Sequence, residues 1–424
     1  MDNVNNSSLV WTTINKKVND LIPQKINPRK ISSKQMEDLK KSLQKFNLVE
    51  IPAIDFDGTI LAGHQRLQAL KLLGRGEEVI EVRFPNRKLT EDEAKEYLIG
   101  SNKLGGEFDF ELLKLNFDEN LLLDVGFTNL EIDEIFFQDK EVKEDNINIE
   151  KEIKENKNPR TKLGDIIHLG EHKIICGDST KEETLKRLFG DKRADMIYSD
   201  PVYNLNIQYD KGIGGTKNYG GHVEDNRSYE EYFNFIQNSL VSALGVSKEN
   251  VHIFYYCDQV YIGTIQEIYR KNGVENKRVC LWIKNSQNPT PLVAFNKCYE
   301  PVVYGVKGKP DLNSNETKYN EIMNSEFNTG NEMFDAVDIW LAKRMTGKEM
   351  EHSTSKPIKL AEKAIRRCSK SGDIILDSFL GSGSTLLCAE QLGRIVYGCE
   401  LEPVYCDLIV KRWEKLTGKK AIYE

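Results

Sequence analysis

From Leu163 onward, short apolar runs and amphipathic segments alternate with little interruption, and this order limits the fold more than any other feature. Ile174-Ile175-Cys176 reads as a strand that ends at Gly177-Asp178, and a helix covers about 181–189. Asp195 to Ser199 is a strand running into Asp200. A helix near 229–244 precedes the apolar strand Val251 to Tyr256. Cys280 to Ile283 and Pro301 to Tyr304 follow, then a helix over 357–369, a strand at Ile374 to Leu376, a helix over 385–392 and a strand from Ile395 to Cys399. Alternation of this kind predicts an open, mostly parallel α/β sheet. Ligands of such sheets sit beyond the carboxyl ends of the strands, so the residues there are the first candidates for function.

Two strand ends carry unusual chemistry. Asp377 closes one strand and runs into Ser378-Phe379-Leu380-Gly381-Ser382-Gly383-Ser384-Thr385 before a helix. Two glycines two apart let the backbone approach a ligand closely, and the helix start favours a negative group. Glu400, seventeen residues beyond Gly383, ends the next strand, where an acid can bind ribose hydroxyls. A tight strand–helix turn fits the same glycines. The other end is Asp200-Pro201-Val202-Tyr203. Pro201 fixes φ and holds Asp200 extended, so the Asp200 carboxylate and the Pro201 carbonyl form two fixed acceptors beside the flat face of Tyr203. An exocyclic amino group on a base needs two acceptors and a ring to stack on. A strand terminator with a surface tyrosine is the plainer alternative.

These segments resemble S-adenosylmethionine-dependent DNA amino-methyltransferases over nearly all of 163–424. Leu169 to Asp178 resembles the opening segment of that family, and the resemblance implies that Asp178 contacts the cofactor. Asp200-Pro201-Val202-Tyr203 resembles the catalytic DPPY motif, with Val202 in place of the second proline, and Asp200 also borders the cofactor. Trp282-Ile283-Lys284-Asn285 and Tyr299-Glu300-Pro301 resemble strands flanking a target-recognition segment. His352 to Pro357 resembles HPTQKP and places Lys356 with the cofactor. Asp377 to Thr385 resembles DPFxGSGTT, with Ser378 for the proline, and implies cofactor contacts from Asp377, Phe379, Gly381, Gly383, Ser384 and Thr385. Glu400 to Tyr405 resembles the ribose-binding segment. The catalytic motif precedes the glycine loop, the order of the family's β class.

The N-terminal part, about 1–137, reads as a separate small α+β domain. Asn27-Pro28-Arg29, a helix carrying Met36, Leu39, Leu43 and Phe46, and a hairpin around Asp57-Gly58 lead to Gly63-His64-Gln65-Arg66 and a second helix. These residues resemble the ParB/sulfiredoxin-like fold, and Gly63, His64, Gln65 and Arg66 form a candidate nucleotide or phosphate site. A capped turn in a dimerisation module is the alternative. Residues 138–162 are densely charged and free of aromatics, and read as a solvated linker or an exposed helix.

The implied fold is therefore a Rossmann-like methyltransferase sheet preceded by a ParB-like domain. The implied reaction is methyl transfer from S-adenosyl-L-methionine to adenine N6, on double-stranded DNA with the base flipped out, catalysed through Asp200, Pro201 and Tyr203. Cytosine-N4 transfer is the nearest rival, and Asp200 favours adenine because the cytosine members usually carry serine there. A ParB-like DNA-binding protein with an inert methyltransferase domain is the rival from another class. The net charge of −7 excludes a basic coat as the main grip on DNA, though not a local positive groove. Lys343-Arg344 and Lys411-Arg412 fit phosphate contacts or a solvated surface, and the glycines from Gly212 to Gly221 fit a loop over the site or a plain insertion. His168, His172 and Cys176 lack further ligands at suitable spacing, so no metal is expected. No apolar stretch approaches the ~18 residues of a membrane span, and Met1 to Trp11 lacks the pattern of a secretory signal. A cytoplasmic monomer or homodimer with reduced, packed cysteines is expected.

Overall fold

The computed structural model describes residues 8–24, 29–30, 33–103, 107–108, 110–137, 140–205, 225–288, 293–312, 338–341 and 356–424. The glycine-rich stretch from Gly212 to Gly221, the His352 end of the HPTQKP-like segment, Lys343-Arg344 and most of the target-recognition segment lie outside them. The chain divides into two compact units, Met1–Gln138 and Asp139–Glu424.

The first unit contains, in order, β1 (Trp11–Lys17), β2 (Arg29–Lys30), α1 (Ser33–Phe46), β3 (Ala53–Ile54), β4 (Ile60–Ala62), α2 (His64–Leu72), β5 (Val79–Pro85), α3 (Glu91–Lys103), β6 (Glu107–Phe108), α4 (Phe110–Asn116), α5 (Glu119–Asp124) and α6 (Asn129–Ile132). A sheet of order β1-β5-β3-β4 packs under α1 and α2. The pleat explains the pattern of β5: Ile80 and Val82 are buried while Val79, Glu81 and Arg83 face out. Leu98, Leu113, Phe117, Leu122, Phe127 and Ile132, from the later helices and the turns between them, form a second core.

The second unit opens with α7 (Ile149–Glu155), β7 (Ile166–Leu169), β8 (His172–Cys176), α8 (Glu182–Phe189), β9 (Ala194–Ser199), α9 (Tyr229–Gly245), β10 (Ser247–Tyr256) and α10 (Ile262–Lys271). It continues with β11 (Glu275–Asn288), β12 (Lys297–Lys307), β13 (Ile339–Leu341), α11 (Glu362–Cys368), β14 (Ile374–Asp377), α12 (Ser384–Gln391), β15 (Ile395–Glu400), α13 (Pro403–Thr417) and β16 (Ile422–Tyr423). One mixed sheet of ten strands runs β13-β11-β12-β10-β9-β14-β15-β8-β7-β16. Its centre, β10 to β8, is parallel, with antiparallel β12 on one flank and β7 and β16 on the other.

Burial on both faces accounts for the unbroken apolar runs. Ile175, Ile197, Tyr255 and Leu376 point to the side covered by α8, α9 and α10. Their chain neighbours Ile174, Met196, Tyr256 and Ile375 point to the other side, under α11, α12 and α13. The chain leaves β9 toward β10 but leaves β14 toward β15, so the direction of winding reverses between β9 and β14. That reversal is the topological switch point at which a doubly wound sheet opens a crevice.

The expected linker is anchored: residues 140–161 are part of the second unit, with Val142 in its core and Ile147 and Thr161 buried, while many of the other side chains stay exposed. Composition misled because the charges of this segment are partnered across more than two hundred residues: Glu152 with Lys411 at 2.5 Å, and Asp145 with Arg412 at 2.7 Å. Only 149–155 is helical.

Candidate functional site

Four adjacent parallel strands end in carboxylates. In sheet order these are Asp200 after β9, Asp377 at the end of β14, Glu400 at the end of β15 and Asp178 after β8. The sequence singled out all four, and the sheet sets them in a row. β9 and β14 pair directly, Leu376 opposite Ile197, so the two motifs that stand far apart in the chain end side by side.

Asp200 is the most engaged of the four. Its Oδ2 accepts from Lys356 Nζ at 2.6 Å. Tyr203 Oη lies 2.9 Å from Asp200 Oδ1 and 2.9 Å from Glu300 Oε2, so its single proton serves two carboxylates. Lys356 Nζ also reaches Tyr203 Oη at 3.1 Å and Glu300 at 3.1 Å. It sits over the rings of Tyr203, Tyr256 and Trp282 at 5.1, 5.0 and 5.9 Å, an aromatic box suited to a cation. Lys284 closes the network by pairing with Glu300. The four charged side chains are only 11 to 27% exposed, so water screens them weakly.

The network sets its own protonation. Burial would raise the Glu300 carboxyl, but the ammonium groups of Lys356 and Lys284 outweigh it and hold it at about 2. Burial would likewise lower Lys356, and Asp200 and Glu300 together raise it instead. Tyr203 stays a neutral phenol, pushed up by burial and by the two adjacent carboxylates.

The backbone after Asp200 is held from below. Tyr232 donates to the Val202 carbonyl at 3.0 Å. Asn204, at φ 57°, donates to the Arg227 carbonyl and accepts from the Arg227 N–H. These bonds supply rigidity at the position where Val202 replaces a proline.

Asp200, Lys356, Asp377, Phe379, Gly381, Ser384 and Thr385 line one cavity of about 110 Å³. Gly381 adopts φ 51°, and a Cβ there would meet no atom within 4 Å, so the loop leaves clear space. Gly383 differs: at φ 84° a Cβ would come within 2.8 Å of Ile409 on α13. Gly383 therefore has a packing reason to be glycine, beside the cofactor contact that the resemblance implies for it. Glu400 does not line the cavity. Its carboxylate accepts from the Gly381 N–H at 2.7 Å and the Glu402 N–H at 2.9 Å, and so shapes the loop from beneath. Asp178 accepts from the Thr180 N–H and hydroxyl, at 3.0 and 2.7 Å. Burial pushes the Asp377 and Glu400 carboxyls up to about 7.

In the first unit, Gly63 at φ 94° turns the chain into α2. His64 is held down at about 4 by burial, and Arg66 pairs with Glu50. The metal-like spacing around His172 is occupied by structure: Val396 N–H donates to Nδ1, and Nε2 lies 2.6 Å from Glu390. Among the described residues no group of three or more His, Cys, Asp or Glu is placed to hold a metal.

Glu300 and Lys284 were not assigned to the site from the sequence. A signal existed: Lys284 directly follows the apolar run Val279 to Ile283, Glu300 directly precedes Pro301-Val302-Val303, and the register sets Trp282 opposite Glu300.

Residues 194–411 match the family model described as DNA methylase. The Type II methyltransferase M2.DpnII of Streptococcus pneumoniae is 28% identical over 273 residues, which are 61% of this chain and 97% of that protein. The Type II methyltransferase M2.LlaDCHI of Lactococcus lactis subsp. cremoris is 30% identical over 232 residues, 52% of this chain and 82% of that one. Among solved structures, the M1.HpyAVI-SAM complex aligns with a TM-score of 0.41 at 22% identity, covering 56% of this chain and 97% of that one.

Proposed function

The chain belongs to the DNA methylase family, and from that premise we propose that it transfers the methyl group of S-adenosyl-L-methionine to the N6 amino group of adenine in double-stranded DNA. The observation that carries this reading is the placement of Asp200 and Tyr203 at the switch point, beside the glycine loop that follows β14. The residues fit the cofactor. The clear space at Gly381 admits a ligand close to the backbone, and the buried carboxyl of Asp377, which lines the cavity, is an acceptor suited to ammonium or hydroxyl donors. When bound, the cofactor supplies an electrophilic methyl group at this site.

The protein's part is alignment. An adenine amino nitrogen is a poor nucleophile because its lone pair is delocalised into the ring. Asp200 and the Pro201 carbonyl accept hydrogen bonds from its two N–H groups, which draws electron density onto nitrogen and fixes its direction, and the Asp200 carboxylate is the base that can take up the one proton released once the methyl group is transferred. Tyr203 stacks on the base, which must leave the duplex to arrive there. The Lys356 ammonium occupies the acceptor that this amino group needs, and Glu300, 3.1 Å from the same ammonium, receives it as the base enters. Asp200 supports adenine over cytosine. Expression in a methylation-free host, followed by single-molecule methylation mapping, tests the assignment. N6-methyladenine at one short site is expected, and N4-methylcytosine would overturn the choice of base.

The first unit is assigned to binding DNA or a nucleotide through Gly63 to Arg66. The Arg66–Glu50 pair is exposed and contributes only ~0–1 kcal/mol, so a phosphate can displace Glu50. Arg66→Ala should weaken CTP or DNA binding, and unchanged binding of both would remove this role.

A further inference from the structure

We propose that residues 140–161 are a strap that sets the shape of the cofactor cavity, with Glu144 and Asp145 as positioning residues. This rests on the reading that the cavity holds S-adenosyl-L-methionine.

Two consecutive acidic side chains of the strap each hold a different segment that lines the cavity. Glu144 uses both carboxylate oxygens to accept the N–H groups of Ile358 and Lys359, at 2.9 and 3.0 Å. These N–H groups stand at the start of a helical turn, where the turn itself offers no acceptor and a carboxylate is favoured. That turn follows Lys356-Pro357 directly, and Lys356, Pro357, Leu360 and Ala361 line the cavity. Asp145 accepts from Arg412 Nε at 2.7 Å, and Arg412 donates onward to the Ser382 carbonyl at 2.6 Å. Ser382 belongs to the glycine loop and lines the same cavity. The Arg412 side chain is only 3% exposed, so Asp145 supplies the counter-charge that lets a guanidinium sit beneath that loop.

The two grips are joined. Ser384 donates to the Lys356 carbonyl at 2.7 Å, so the two segments share a bond at the mouth of α12. Lys143 and the Gln391 side chain exchange two hydrogen bonds, at 2.8 and 3.0 Å, which fix the strap to the far end of the same helix. Val142 and Ile147 are buried, so the strap between them has little freedom to slide. A second clamp lies outside the cavity lining: Asp407 accepts from Arg160 N–H, Thr161 N–H, the Thr161 hydroxyl and Asn156 Nδ2. That clamp fastens the strap without bonding to either segment, so it provides an internal control.

The test uses the full chain and calorimetry with S-adenosyl-L-methionine, alongside steady-state kinetics and thermal melting. Glu144→Ala and Asp145→Asn should each raise the dissociation constant ~10-fold, the scale of one charge-assisted hydrogen bond. The rate at saturating cofactor and the KM for DNA should stay near those of the native chain. Glu144→Gln, which keeps one acceptor oxygen, should restore part of the affinity. Asp407→Asn should lower the melting temperature while leaving cofactor affinity unchanged. Unchanged affinity in both Glu144→Ala and Asp145→Asn overturns the proposal. So does an equal loss in Asp407→Asn, which would make the strap a general brace. A native chain that binds no S-adenosyl-L-methionine would instead sink the cofactor reading itself, and this inference with it.

Discussion

Asp200 carries both a substrate role and a pairing role, and the two separate on mutation. Asp200→Ala removes one of two amino-group acceptors, and the loss of one preorganised hydrogen bond costs at least ~10²-fold in rate. The fold should survive, because Lys356 keeps Glu300 as a partner and no buried cation is stranded. An unchanged melting curve with methylation cut by that factor is expected, and a variant retaining most of its rate would refute the assignment. Asp377, which lines the cavity, gives a pH dependence whose sign follows from its burial. It is raised to about 7, so below that value much of it is protonated. Ionised carboxylates accept hydrogen bonds from ammonium and hydroxyl groups more strongly than neutral ones. Cofactor binding should therefore release protons, and affinity should rise between pH 6 and pH 8, by at most ~10-fold per unit for each proton released. Calorimetry across that range checks it; a flat profile would mean that Asp377 does not face the cofactor.

At the scale of elements, the turn between β14 and α12 contains two glycines with different reasons to exist. Gly383 keeps α12 close to α13, since a side chain there would strike Ile409. Gly383→Val should lower the melting temperature of the cofactor-free chain, because overpacking of this kind costs ~1–3 kcal/mol and a branched residue at positive φ adds to it. Gly381→Ala meets no neighbouring atom, so it should cost only ~1–2 kcal/mol of backbone strain. Its methyl group stands in the space proposed for the ligand, so cofactor affinity should fall further than stability. The same measurement pair, melting and calorimetry, separates them: loss of affinity with a normal melting curve in Gly383→Val would contradict the packing explanation. The contrast was invisible in the motif, where both positions read as glycines clearing a ligand. Ile409 is supplied by a helix more than twenty residues further on.

For the whole molecule, the boundary between the units decides which fragment is functional. A fragment beginning near residue 139 keeps the strap, and should fold and bind cofactor without the first unit. One beginning near residue 160 loses Asp145 and leaves Arg412 buried without its counter-charge, a loss of ~3–5 kcal/mol. It should be insoluble or melt well below the longer fragment, and equal stability of the two would show that the strap contributes nothing. Composition alone would place the cut at the second point, since 139–162 has the mixed charge and absence of aromatics typical of a linker.

The amino-acid sequence by itself determined the strand–helix alternation, the two motif-bearing turns and the chemistry of their side chains. Each depends on spacing within a few residues, where periodicity and turn chemistry are local properties. Asp200, Tyr203, Asp377 and Gly381 were legible for that reason. Tertiary structure alone decided what those residues meet. The pairing of β9 with β14 brings distant motifs side by side, the register of β11 on β12 delivers Lys284 and Glu300 to Lys356, and the fold finds partners for the charges of the strap. A charged residue reads the same in sequence whether it faces water or a buried counter-ion, because the free energy that separates the two cases resides in the partner and in the water excluded between them.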